Sequence, residues 1–360
     1  MSPRYLPQGF GDGELLDPLF DVLKRLAAEQ AASDAHTAAP PLRVGVALSA
    51  GADSAMLAAH AAIAVQNIPG VELHCFHIHH GLQDLADDWA RHAHDLAYGL
   101  GLPCHSLRVK VEGGTGKGVE AAARDARYQG LAQLAEVVGA RHILLAHHRD
   151  DQTETVLMRL LRGSGPTGLA AMSEVSERGG MIYIRPWLEI DRAHILSIAQ
   201  GFFEQTGWKP VDDPTNVQDE YTRGAVRRRL VPVLNERWPA WRSILLRHSR
   251  QARELGVLLE EVAAEDFSRL QPSHDHKDFS LSAWRALSPQ RQVLVLRHWL
   301  GCLGLRAPTE ARMRELCRQL RQLHAQGHDR SMRMKHDDHW IICERGRVRL
   351  LSQNDSDENR

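Results

Sequence analysis

Arg43-Val-Gly-Val-Ala-Leu48, then Ser49-Ala-Gly-Ala-Asp-Ser54, then the apolar run Ala55 to Val65, is the stretch whose reading decides the fold. Val44 to Leu48 suits a buried strand, and the run after the turn suits a buried helix that Asp53 or Ser54 can cap. A turn of this kind points successive backbone N–H groups, two hydroxyls and a helix N-terminus into one small space. That is an anion cradle, most often for phosphate. Asp53 adds a carboxylate where the magnesium of a nucleotide would sit. The plainer alternative is a strand–turn–helix with a capping serine.

Outward from this stretch, strand and helix signals alternate. Strands are expected at 43–48, 73–78, 104–109 and 142–146, and helices at 54–66, 86–99, 119–138 and 151–162. Alternation of this kind means an α/β domain, a parallel sheet with helices on both faces. Ligands of such sheets bind beyond the carboxyl ends of the strands. Ser49–Ser54, His79-His80-Gly81 and His147–Asp151 all fall there. Further on come Gly163–Gly168, a short strand at 181–187 and a helix at 191–206. Helical patterns then dominate (223–235, 241–265, 281–301, 309–324), and small strands near 331–335, 338–343 and 346–351 close the chain. The expected organisation is an N-terminal extension and linker at 1–40, with a helix from Glu14 to Glu29, and a nucleotide-binding catalytic domain at 41–220. A basic, mainly helical domain with a small β element follows at 221–351, then a polar, disordered tail at 352–360.

At 360 residues the chain has room for two cores. Its five cysteines are scattered without a C-x-x-C pair, which argues against a disulfide framework, a zinc ribbon or an iron–sulfur cluster. No apolar run approaches the ~20 residues that span a bilayer, and no basic-then-apolar leader opens the chain. A reducing, cytoplasmic setting without membrane partners is the expectation. Net charge is −1, but residues 1–220 hold 18 Lys+Arg against 28 Asp+Glu, a net −10, while residues 221–350 hold 25 against 14, a net +11. An acidic front and a basic back suit chemistry in one domain and a grip on a polyanion in the other. The alternative is arginine-rich helices with solvated faces.

Ala146-His-His-Arg-Asp-Asp-Gln-Thr-Glu-Thr155 follows a short apolar strand and opens a helix. Asp150, Asp151 and Glu154 fall within about one turn. They can hold magnesium, bind an ammonium group or act as a general base, unless they merely favour the helix dipole. His147 and His148 read as metal ligands or as hydrogen-bonded neighbours of the carboxylates. On 119–138, Glu120, Arg124, Arg127 and Tyr128 recur at helical spacing, either as surface ion pairs or as an arginine clamp on phosphate. Gly113-Gly-Thr-Gly-Lys-Gly118 imitates a Walker A loop, but Val111 stands where the first glycine is required and Gly118 where Ser/Thr must hold magnesium. It reads as a loop.

Ser49 to Ser54 resembles the pyrophosphate-binding loop of the ATP pyrophosphatase superfamily, Ser-Gly-Gly-x-Asp-Ser, with Ala50 as a departure. Alanine reaches positive φ at a cost, so this reading requires an ordinary backbone conformation at Ala50. The resemblance narrows with His79-His80-Gly81-Leu82, Glu120 to Tyr128, Ala146 to Gln152, Arg159-Leu-Leu-Arg-Gly163 with Gly165 and Gly168-Leu169, and Arg185-Pro186. It extends to Asp213-Pro-Thr-Asn216 followed by Tyr221, Arg223 and Arg227. In order and spacing these resemble the bacterial tRNA(Ile)-lysidine synthetases over residues 43–235, and more weakly beyond. By that resemblance the catalytic domain is adenine-nucleotide α-hydrolase-like. The chain would carry the first C-terminal domain of the family and not the second found in longer members.

The resemblance implies a ligase that uses ATP, Mg2+, free L-lysine and the isoleucine tRNA with a CAU anticodon. ATP adenylates the carbon-2 oxygen of the wobble cytidine; the lysine amine then displaces AMP, and codon reading changes from AUG to AUA. Carried over residue by residue, Ser49, Ala50, Gly51, Ala52, Asp53 and Ser54 bind ATP, and Asp53 and Asp150 serve the metal. Asp151 and Glu154 take lysine, and His147 joins Asp53, Asp150, Asp151 and Glu154 in catalysis. Arg124, Arg127, Arg223, Arg227 and Arg228 hold tRNA. An amine with a reference pKa of about 10.4 is neutral in fewer than roughly one molecule in a thousand at pH 7, so a nearby proton acceptor is needed. Three rivals remain: a tRNA thiolase, which usually carries C-x-x-C pairs, a metal-dependent phosphohydrolase built on His147, His148, Asp150 and Asp151, and a non-catalytic ATP sensor.

Overall fold

The first strand forms as expected. In the computed structural model, which describes residues 4–7, 9–33, 40–79, 86–111, 119–211, 222–323 and 332–352, β1 (Leu42–Ala47) has Val44 and Val46 fully buried on one face. On the other face Gly45 lies under the ring of Phe76. A Cβ there would stand 2.2 Å from the ring, which is why that strand position is glycine. The next elements are α2 (Ala52–Val65), β2 (Val71–His79), α3 (Ala86–Gly99), β3 (Cys104–Arg108), α4 (Val119–Val138), β4 (His142–Leu144) and α5 (Arg149–Leu161). After them come α6 (Pro166–Leu169), β5 (Val175–Arg178), β6 (Met181–Ile184) and α7 (Arg192–Thr206).

The six strands lie in the order β3-β2-β1-β4-β6-β5. All neighbours are parallel except β5 and β6, and Val44 pairs with Leu73 on one side and His142 on the other. Successive strands leave β1 in opposite directions, so the switch point where such sheets bind ligands lies at the carboxyl ends of β1 and β4. One face is covered by α1 (Gly13–Ser33), α2 and α7, through Leu15, Leu19, Met56, Ile195 and Phe202. The other is covered by α4, through Tyr128, Leu131 and Ala135 against Phe76 and Ile143.

Differences from the sequence reading have local causes. α1 runs beyond Glu14–Glu29, starting where the Asp12 carboxylate accepts the Leu15 N–H at 3.2 Å. β5 was not expected; it is a four-residue edge strand turned back on β6 by Gly179 and Gly180, both at positive φ. The helix expected over 223–235 is broken into α8 (Thr222–Ala225), a π segment (Val226–Leu230) and α9 (Val231–Arg237). Pro232, at the start of α9, lacks the N–H that would continue an α ladder, and the Val231 N–H reaches five residues back to the Val226 carbonyl.

By compactness the chain divides into Met1–Arg250 and Gln251–Arg360, and α10 (Trp241–Arg269) runs through that boundary. The second unit contains β7 (Asp278–Ser280), α11 (Leu281–Ala286), α12 (Pro289–Cys302), α13 (Glu310–Gln322), β8 (Met332–His336), β9 (His339–Glu344) and β10 (Arg347–Ser352). Its antiparallel sheet has the order β7-β10-β9-β8, and its core gathers Phe279, Trp284, Trp299 and Leu316. β7 was not expected; three residues are too short a run to signal a strand. Thr222–Arg250, read from sequence with the basic domain, belongs to the first unit. This segment holds eight arginines against one acid, a net +7, so most of the basic excess lies there. Among the described residues no helix is long and apolar enough to cross a membrane. Linker residues 34–39, His80-Gly81-Leu82, Gly113–Gly118, Asp213–Asn216, Tyr221 and the tail from 353 onward lie outside the described residues.

Candidate active site

The chain leaves β1 into a turn that its own hydroxyls brace. The Ser49 N–H donates to Ser54 Oγ at 3.1 Å, the two hydroxyls lie 3.0 Å apart, and Ser54 Oγ donates to the Gly51 carbonyl at 3.0 Å. Neither Asp53 nor Ser54 caps α2: Gly51 is the N-cap, in an extended conformation and without a side-chain cap bond. The N–H groups of Ala52, Asp53 and Ser54 open the helix, where the carbonyls four residues back lie outside it, so they can face an anion. Ala50 does take positive φ, +66°, against the requirement read from the sequence. The turn forms nonetheless, with the Ala50 methyl fully buried and its carbonyl accepting the Val211 N–H at 2.9 Å. Surrounding packing and hydrogen bonds impose the conformation locally disfavoured for alanine. Behind the turn, buried His77 lies 2.8 Å through Nδ1 from the Leu48 carbonyl. Burial lowers its pKa, so the neutral ring can donate there and fix the end of β1.

The acidic segment opens α5 beside this turn. His148 is the N-cap: its Nδ1 accepts the Asp151 N–H at 3.4 Å, and the Asp151 carboxylate accepts the His148 N–H at 3.2 Å, a reciprocal capping box. His148 Nε2 lies 3.3 Å from Asp151 Oδ2 and 3.9 Å from Asp53 Oδ2, so one imidazole bridges the phosphate turn and the acidic helix. Asp53 Oδ2 is also 3.4 Å from Arg192 at the start of α7, while Asp53 Oδ1 is buried with no hydrogen-bond partner among the described residues.

Arginines converge on the carboxylates. Glu154 receives Arg227 Nε at 2.6 Å and lies 3.1 Å from Arg223 Nε. Asp151 Oδ1 stands 3.5 and 3.7 Å from the same two guanidiniums, and Asp150 Oδ1 forms an ion pair with Arg242 Nε at 2.8 Å. Burial alone would raise the Asp151 carboxyl, but His148, the Arg223 guanidinium and the hydrogen bond from the His148 N–H together hold it below the usual carboxylate range. Burial takes His147 the other way, down to about 3, and Arg185, Arg127 and Arg223 add to the effect. His147 is therefore neutral at physiological pH.

Asp150, Thr153, Glu154, Arg192, Arg227, Val231, Trp241 and Arg242 line a cavity of about 170 Å³. Arg223 and Arg227, expected on tRNA phosphate, pair with Asp151 and Glu154, and the π segment sets the position of Arg227. Arg127 is within electrostatic reach of His147 and Asp151. Arg124 lies away from the carboxylates, over the Tyr128 ring at 5.4 Å, and Arg228 is exposed. The sequence reading did not single out Arg192, Arg242 or Trp241, because each comes from an element far along the chain. The Arg159–Gly168 segment has a structural role that short-range pattern does not reveal. Arg159 donates to the carbonyls of Gly168 and Ala171, and buried Gln152 exchanges two bonds with the backbone of Met172, at 2.7 and 2.8 Å. Together they tie the loop after α5 to that helix.

Comparison with known proteins agrees with this geometry. A PP-loop domain model matches residues 23–234, and a TilS substrate binding domain model matches residues 279–349. The tRNA(Ile)-lysidine synthase of Bordetella bronchiseptica is 55% identical over 308 residues, covering 86% of this chain and 89% of that protein. The one from Polaromonas naphthalenivorans is 38% identical over 311 residues, covering 86% and 90%. Among solved structures, a U34-tRNA thiolase from Methanococcus maripaludis superposes with a TM-score of 0.50 over 66% of this chain and 80% of its own, at 16% identity, a likeness of fold alone. With a braced phosphate turn at the switch point, two family models in succession and relatives this similar over most of their length, the chain belongs to the tRNA(Ile)-lysidine synthase family of PP-loop ligases.

Proposed function

We propose that the chain joins free L-lysine to carbon 2 of the wobble cytidine in the CAU-anticodon isoleucine tRNA, converting ATP to AMP and pyrophosphate. The observation that carries this reading is the adjacency of two chemistries: the phosphate turn and the acidic start of α5 approach to 3.9 Å across His148. In the first step the cytidine carbon-2 oxygen attacks the α-phosphorus of ATP and pyrophosphate leaves into the N–H groups at the start of α2. In the second the lysine Nζ attacks carbon 2 and expels AMP.

The cavity suits free lysine because its lining offers the carboxylates of Asp150 and Glu154 beside the guanidiniums of Arg192, Arg227 and Arg242, matching both ends of an amino acid. Asp151 and Glu154 draw in the ammonium, and the arginines crowding them disfavour a further positive charge, which promotes loss of its proton. Glu154, facing the cavity, takes that proton. His147, neutral down to about pH 3, is not the proton store. Asp53 Oδ1, buried and without a hydrogen-bond partner among the described residues, would hold a Mg2+ ion. Asp150 suits the ion less well, since Arg242 already engages it, and no cluster of three or more metal-ligating side chains occurs among the described residues. When bound, the ion supplies charge neutralisation for the departing pyrophosphate. The basic residues of Thr222–Arg250 and of the second unit would hold the tRNA backbone in the cytoplasm, where all three substrates meet.

Purified protein given ATP, Mg2+, labelled lysine and a panel of tRNAs tests the reading. Label should enter the CAU-anticodon isoleucine tRNA and no other. Folded protein that binds ATP and labels no tRNA would refute it.

A further inference from the structure

The corner between α9 and α10 carries two tryptophans, three residues apart, with opposite environments. Trp241 is buried: its Nε1 donates to Asn235 at 2.9 Å, its ring lines the cavity, and the Arg242 guanidinium lies 4.6 Å from the ring centroid. Trp238, whose carbonyl accepts the Trp241 N–H at 2.8 Å, is 55% exposed, with the Arg237 guanidinium 5.9 Å from its ring centroid. A large exposed indole contributes little to a fold. Three residues from the cavity-lining Trp241 and next to the Arg237 guanidinium, it offers what an unpaired nucleobase needs: a flat π surface with a cation beside it.

We propose that Trp238, with Arg237 beside it, is a stacking platform for an unpaired base of the substrate RNA next to the nucleotide that enters the cavity. This rests on the tRNA reading above. A base to be modified must leave the anticodon-loop stack, and its neighbour then loses a stacking partner. Trp238 replaces that partner from the turn that precedes Trp241, and so positions the loop without touching the reacting atoms.

The test uses an anticodon stem-loop RNA with 2-aminopurine placed on either side of the target cytidine, together with full-length CAU tRNA. The wild-type protein should quench one of the two probes on binding. Trp238→Ala should bind without quenching, and Trp238→Phe should retain most of it. With full tRNA, Trp238→Ala should raise the tRNA KM about tenfold to hundredfold, while the KM values for ATP and lysine and the melting temperature stay unchanged. Equal quenching by Trp238→Ala and wild type, or an unchanged tRNA KM, would overturn the proposal. So would a wild-type dimer that Trp238→Ala dissociates, which would make the indole a contact between copies. Quenching requires no turnover. Protein that quenches through Trp238 yet transfers no lysine would therefore sink the ligase reading and leave the platform standing.

Discussion

Ala50 combines φ +66° with a fully buried methyl, and the two effects oppose each other. Relief of left-handed strain by glycine is worth about 1–2 kcal/mol. Loss of a buried methyl and the extra chain entropy of glycine each take back roughly 0.5–1 kcal/mol. Ala50→Gly should therefore stay within about 1 kcal/mol of wild type in urea unfolding. Ala50→Val, β-branched at positive φ in a filled site, should lose more than about 2 kcal/mol. Asp53 faces the turn with a buried, unpaired oxygen, so Asp53→Ala should reduce AMP formation at least about a hundredfold without lowering the melting temperature. His147 gains its proton near pH 3 in the folded chain and near 6.5 in the unfolded one. The unfolded state thus binds more protons between those values, and the stability is whole above pH 6.5 and lost as pH falls toward 3. The melting temperature should drop across that window, and less steeply in His147→Asn.

α5 is where several demands meet. Its first turn presents Asp150 and Asp151, its N-cap bridges to the phosphate turn, and its next residues anchor the loop that follows. Gln152 is buried and satisfies both the N–H and the carbonyl of Met172. Gln152→Ala would orphan two buried backbone groups, at about 1–3 kcal/mol each in the least relaxed case. Loss of about 2–4 kcal/mol in denaturant unfolding is expected; a loss below about 0.5 kcal/mol would mean that the loop is held by Arg159 alone. The start of α5 and the strand before it were readable, because they depend on residues close in sequence; the reciprocal cap between His148 and Asp151 was not read, since histidine is not one of the usual capping residues. The broken helix over 222–237 was not: Pro232 removes one N–H from the ladder but is equally compatible with an ordinary helix start, and the Arg227–Glu154 bond that accompanies the π segment joins residues 73 apart in the chain.

Across the whole molecule, charge is redistributed relative to the linear chain. The net +7 of Thr222–Arg250 lies in the unit that holds the acidic cluster, and part of it neutralises that cluster instead of facing solvent. The remainder, with the second unit, is the proposed grip on tRNA. Raising salt from about 50 to about 200 mM should then weaken tRNA binding by about tenfold or more, with little change in the lysine KM. A flat salt response in a binding titration would remove the polyanion grip.

What the sequence by itself determined is the alternation of strand and helix, the phosphate turn at the first strand's carboxyl end and the three carboxylates on one helical turn. These follow from periodicities of two and 3.6 and from neighbours a few residues apart. Only the tertiary structure decided the conformation of Ala50, which local preference disfavours. It alone also decided the partners of the carboxylates, since Arg192 reaches Asp53, and Arg223, Arg227 and Arg242 reach Glu154 and Asp150, from elements about 70 to 140 residues away, set by how helices pack around the switch point. Local pattern specifies which groups are charged; burial and proximity across the fold specify which charges meet.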